Sequence, residues 1–182
     1  MSELHWKNKY EELIEEALSS AQENYGRKTN EFKFEGIIFG GNTPRLIFKE
    51  PKKVLVQLTP STIGSEKMGI FQLSHEAIHL LSPFVEPNTI MLEEGLACLY
   101  SIAFTAYKTG DKKYPIQGIS AVPKYQKSLD LIKELLTIEN DAIRKLRSIE
   151  PIIGKINSKT FYQAGLSADK NLISELTSKM EI

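Results

Sequence analysis

Apolar residues recur at helical spacing through residues 2–25. Trp6, Tyr10, Leu13, Ile14, Ala17 and Ala21 share one face, with Lys and Glu opposite. This pattern predicts an amphipathic packing helix, broken by residues 26–30. Three short runs with strand character follow, at residues 32–39, 45–49 and 53–58. Gly40-Gly41-Asn42 predicts a hairpin-like turn joining the first two. In the third, Val54, Val56 and Leu58 alternate with Leu55 and Gln57, which predicts a sheet covered on one face and partly on the other. Pro60 and Gly64 close this region.

Helical periodicity resumes over residues 65–81, with Ser65 as N-cap, and again from residue 88 or 91 to residue 107. Pro83 and Pro87 force a turn between these two helices, so they can pack side by side. Residues 108–123 carry Gly110, Pro115, Gly118 and Pro123 and predict a long irregular loop of the kind that often serves function. Further helices are predicted at 125–137, 140–148, 158–165 and 168–180, with Pro151 and Gly154 separating the middle two. No repeat or low-complexity tract interrupts the order. Helix, small sheet, two central helices and a helical C-terminal lobe make an α+β fold. At 182 residues the simplest organisation is one domain, with sub-lobes of about 1–82 and 83–182 around a cleft.

Composition narrows the function classes. Hydrophobic residues make up 41% and charged residues 25%, ordinary for a globular chain. Net charge is zero and no basic stripe with interleaved aromatics appears, which argues against a nucleic-acid partner. No apolar run is long enough to span a membrane, and residues 1–7 lack the apolar stretch of a signal peptide. A single cysteine excludes an internal disulfide. These features together predict a cytoplasmic protein that does not engage membranes.

The candidate chemistry lies in the second predicted helix. Residues 75–79 read His75-Glu76-Ala77-Ile78-His79, and the chain has only three histidines. Four residues turn a helix through about 400°, so His75 and His79 share a face one turn apart and can reach one metal ion. Glu76, about 100° round from His75, sits beside such an ion rather than on it. There it can take a proton from a metal-bound water. The surrounding Ile70, Phe71, Leu73, Ala77, Ile78, Leu80 and Leu81 predict a mostly buried helix, in which polar groups need partners. Catalytic zinc takes three protein ligands and keeps one position open. His5 lies far upstream in a charged segment. The pair Glu93-Glu94 opens the next apolar helix, followed by Gly95, where backbone or substrate could approach closely.

The H-E-x-x-H array followed by Leu92-Glu93-Glu94-Gly95-Leu96-Ala97 resembles the gluzincin branch of the zincin metallopeptidases. Their pattern adds a glutamate on a following helix, often within an N-E-G-x-A-like segment. The resemblance covers about residues 70–101. It implies His75, His79 and Glu94 as ligands of Zn2+, Glu76 as catalytic base, and a zincin-like fold. Glu93 falls where the family often has asparagine. One glutamate of the pair is expected only to favour the helix N-terminus. Cys98, with Ser101 a turn further on, stands where family members often carry an acid or polar residue that orients a histidine. The gap from His79 to Glu94 is shorter than in the large members and closer to compact, single-domain ones.

The resemblance further implies peptide-bond hydrolysis, with zinc and Glu76 activating one water and a peptide or protein as substrate. A tyrosine would serve as additional oxyanion donor, with Tyr114, Tyr125 and Tyr162 as candidates. Substrate would add to a sheet edge supplied by residues 53–58, with residues 59–63 as a rim. Two other readings share these motifs: a catalytically silent zinc-binding or regulatory module, and an effector protease that cleaves a single partner. The intact Glu76 argues against the silent module, which needs no base.

Overall fold

The computed structural model describes residues 2–86 and 88–180. Pro87, expected to help force a turn, lies outside the described residues. Helix α1 (Glu3–Tyr25) starts where the Ser2 side chain accepts from His5 N–H. It buries Trp6, Tyr10, Ile14, Ala17 and Ala21, following the periodicity of the sequence. At its exit the buried Arg147 guanidinium donates to the carbonyls of Tyr25, Gly26 and Arg27, at 2.9, 2.8 and 2.7 Å. Its Nε reaches the Pro151 carbonyl at 3.2 Å.

Strands β1 (Lys33–Phe39), β2 (Arg45–Lys49) and β3 (Lys53–Leu58) form one sheet in the order β1-β3-β2. β1 runs parallel to β3, and β2 antiparallel to it. Two expectations fail here. Gly40-Gly41-Asn42 is no hairpin turn, because β1 and β2 are not neighbours. The loop instead crosses the end of β3, held by the Gln57 side chain, which donates to the Thr43 carbonyl at 3.1 Å. Nor is β3 an edge: it is the central strand, buried from Val54 to Leu58. Its nearly unbroken apolar run suits a strand covered on both faces.

Helix α2 (Glu66–Leu81) carries the motif and packs against α1 and α3 (Met91–Thr109). Ser65 occupies its N-cap position but makes no side-chain cap bond. At Gly69 a Cβ would come within 2.1 Å of the Tyr10 ring, so α1 and α2 touch through that glycine. Tyr10 then donates its hydroxyl to the Thr62 carbonyl at 2.7 Å.

The expected loop at 108–123 contains helix α4 (Lys113–Ser120). The Asp111 carboxylate accepts from the N–H groups of Lys113 and Tyr114 and starts it. Pro115 sits in the first turn, where a missing N–H costs nothing. Helices α5 (Pro123–Ile138), α6 (Ala142–Ile149), α7 (Ser158–Gln163) and α8 (Lys170–Thr177) complete the C-terminal half. α8 is shorter than expected. Asp169 caps its start by accepting from Asn171 and Leu172 N–H, and residues 178–180 leave it as extended chain. Among the described residues, no helix is long and apolar enough to cross a membrane. The architecture is mixed α+β, with the sheet and the C-terminal helices flanking α2 and α3.

Candidate metal centre

Helices α2 and α3 bring His75, Glu76, His79, Glu93 and Glu94 together at one end of a cleft of about 370 Å³. The two imidazoles lie one turn apart, with ring centroids 5.1 Å from each other. His75 Nε2 is 3.3 Å from Glu94 Oε2, and His79 Nε2 is 3.5 Å from Glu94 Oε1. One ligand atom from each of His75, His79 and Glu94 falls within 4.8 Å of the other two. His5 is not part of the site; it lies edge-on to Trp6 at the start of α1.

The neighbours of this trio hold it in place. Glu93, expected only to favour the helix N-terminus, accepts from His79 Nδ1 through its Oε1 at 2.9 Å. That bond leaves Nε2 of His79 as the free donor atom facing Glu94. Cys98, buried on α3, acts on the His75 imidazole from the place where the resemblance puts an orienting residue. Thr89 donates its hydroxyl to Glu94 Oε1 at 2.7 Å. Gly95 does admit a close approach, but by the protein's own backbone: a Cβ there would lie 2.2 Å from the Ser128 carbonyl oxygen of α5.

Electrostatics at the site are strongly coupled. Burial opposes charge on His79, yet the Glu93 hydrogen bond and the charges of Glu94, Glu93 and Glu76 outweigh it and push its pKa up to about 9. His75 is likewise raised well above the usual imidazole range: burial lowers it, but Cys98 and Glu94 more than compensate. Burial would raise Glu94, but the close His75 imidazole, the charges of both histidines and the Thr89 bond bring it down to about 2. Glu76 goes the other way. Burial dominates, and the neighbouring Glu94 and Glu93 add to it against the two histidines, so its pKa is raised.

Two carboxylate oxygens decide whether these residues suit a cation. Glu76 Oε2 and Glu94 Oε2 are buried and accept no hydrogen bond of acceptable geometry. Unpaired buried carboxylate oxygens are costly, and a cation, with the water it carries, would satisfy both. Two imidazole nitrogens plus one carboxylate oxygen form a three-ligand set of the kind found in catalytic metal sites. His75, His79 and Glu94 therefore fit a metal ion.

The rest of the cleft was only partly foreseen. Of the three tyrosines, only Tyr125 lines it, with its ring 6.0 Å from His75. Tyr114 packs edge-on to Phe71, and Tyr162 is 86% exposed on α7. One wall comes from β2, through Arg45, Leu46 and Phe48. Another comes from Phe84, Glu86, Asn88 and Thr89 ahead of α3. Compared with known protein families, curated proteins and solved structures, the chain shows no match. What the site can do follows from the chemistry of its own residues.

Proposed function

We propose that the chain is a zinc-dependent peptidase in which His75, His79 and Glu94 hold the ion and Glu76 is the general base. The observation that carries this reading is the convergence of both imidazole Nε2 atoms on the Glu94 carboxylate, at 3.3 and 3.5 Å, beside an unpartnered Glu76 oxygen. When bound, zinc lowers the pKa of a water towards about 7 and polarises a carbonyl.

Glu76 is buried to 2% exposure at the floor of the cleft. Its raised pKa brings a carboxylate closer to the basicity that proton abstraction near neutral pH requires. It takes the proton from water attacking a peptide carbonyl and passes it to the leaving nitrogen. Burial raises the Tyr125 pKa, so its phenol keeps its proton and can donate to the developing oxyanion. An extended substrate is expected along β2, the outer strand that lines the cleft, and not along the central β3.

The test is elemental analysis followed by peptide-library profiling. Protein purified without added metal should carry one zinc per chain, and His75→Ala should carry none. Glu76→Gln should keep the zinc and lose roughly 10²- to 10⁴-fold in hydrolysis. A zinc-loaded wild type that cleaves nothing in the library would support a silent zinc-binding module or a single-substrate effector. Full activity in Glu76→Gln would overturn the mechanism.

A further inference from the structure

Residues 178–180 run antiparallel to the segment that leads into α3, with Lys179 paired to Ile90. Met91 N–H donates to the Ser178 carbonyl at 3.0 Å, and Met180 N–H donates to the Thr89 carbonyl at 2.8 Å. The Lys179 ammonium reaches the Asn88 carbonyl at 3.1 Å and the Glu86 carboxylate at 3.8 Å. It also lies 5.9 Å from the centre of the Phe84 ring. Met180 is 3% exposed, so this stretch is anchored in the core and does not merely lie on the surface. Among its described residues the cleft wall ahead of α3 has no helix of its own, and it is tied down by these three residues.

The tie reaches a metal-binding candidate. Thr89 is gripped at its carbonyl by Met180, and its hydroxyl donates to Glu94 Oε1. A carboxylate fixed at one oxygen has its rotation restricted, which keeps Oε2 directed at His75 Nε2. We infer that residues 178–180 form a strap that positions Thr89 and, through its hydroxyl, orients the Glu94 carboxylate towards the two histidines. The inference rests on the reading of Glu94 as a metal ligand. In it, Thr89 and the strap are positioning elements, and neither touches the ion or the substrate.

Zinc affinity of the full chain, measured by competition with a chromophoric chelator, tests it. Thr89→Val should bind zinc about 10- to 100-fold more weakly, the usual cost of losing an outer hydrogen bond to a ligand. Thr89→Ser, which keeps the hydroxyl, should restore most of the affinity. Met180→Asp expels the strap from the core and should weaken zinc to a similar extent while far-UV circular dichroism is retained. If that variant fails to fold, Met180→Pro, which removes the N–H donated to Thr89, takes its place. The double variant should lose no more than the weaker-binding single, because both break one path. In cobalt-substituted protein, Thr89→Val and the strap variant should shift the visible absorption bands alike. Losses that multiply, or unchanged affinity in either single variant, overturn the strap while zinc loss in His75→Ala leaves the metal reading standing. A wild type that binds zinc no better than His75→Ala overturns both.

Discussion

Two adjacent carboxylates take different tasks. Glu94 faces both imidazole Nε2 atoms, whereas Glu93 holds the far nitrogen of one ring. Glu94→Gln should therefore abolish stoichiometric zinc. Glu93→Gln should keep zinc but bind it roughly 10- to 100-fold more weakly, since it loses only the charge that orients His79. Titration of both variants against a chelator decides between them, and the reverse result would shift the ligand by one residue. The histidine pair and Glu76 were legible in the sequence because helical spacing alone aligns them. Helical spacing alone does not choose between the glutamates, because the choice depends on how α3 is rotated against α2; the register of the resemblance is what picks Glu94. Thr89 was hidden because it lies in the irregular segment ahead of α3, where no periodicity marks which side chain turns back to Glu94. Tyr125 could be distinguished from Tyr114 and Tyr162 only once α5 was seen to return to the cleft.

At the scale of elements, the order of helices was legible and the order of strands was not. The periodicity of α1, α2 and α3 predicts their buried faces well, because each face meets one continuous core. Strand order is a long-range choice. A Gly-Gly-Asn sequence at a strand end looks like a hairpin turn, but local turn chemistry cannot reveal that β3 inserts between β1 and β2. The near-continuous apolar run of β3 was the available signal. The sequence predicts a loop where α4 lies because Pro115 and Gly118 look like breakers, although a proline in the first turn is tolerated. The approach of α3 to α5 at Gly95 carries a test of its own. A methyl group there would lie 2.2 Å from a backbone oxygen, which cannot swing aside as a side-chain tip can. Gly95→Ala should therefore separate the helices and cost about 1–3 kcal/mol of stability, read as a lower midpoint in urea. Zinc affinity should fall with it, since Gly95 directly follows Glu94.

Across the molecule, the buried acid–imidazole cluster ties stability to pH. In metal-free protein His79 has a pKa of about 9, above its ordinary 6.5. Its protonation stabilises the fold fully below pH 6.5, and that contribution is lost as pH rises through 9. Glu94 is depressed from 4.5 to about 2, so its charge stabilises the fold above pH 4.5 and is lost as pH falls through 2. Chelator-treated protein should therefore lower its Tm as pH is raised from 6.5 to 9. Zinc must displace the imidazole protons, so the zinc-loaded form should instead shed metal as pH falls. Thermal scans of the two forms across this range should give opposite slopes; parallel curves would show that the cluster does not govern stability.

The Arg147 clasp also has a consequence for the order in which the chain is made. The carbonyl of Tyr25 is held by a guanidinium 122 residues further along the chain. During synthesis the end of the first helix emerges early and its carbonyls stay open to water, while the helices bearing His75, His79 and Glu94 emerge in between. α1 can reach its final anchorage only after Arg147 has left the ribosome. Until then water satisfies those carbonyls, and the last turn of α1 is free to fray.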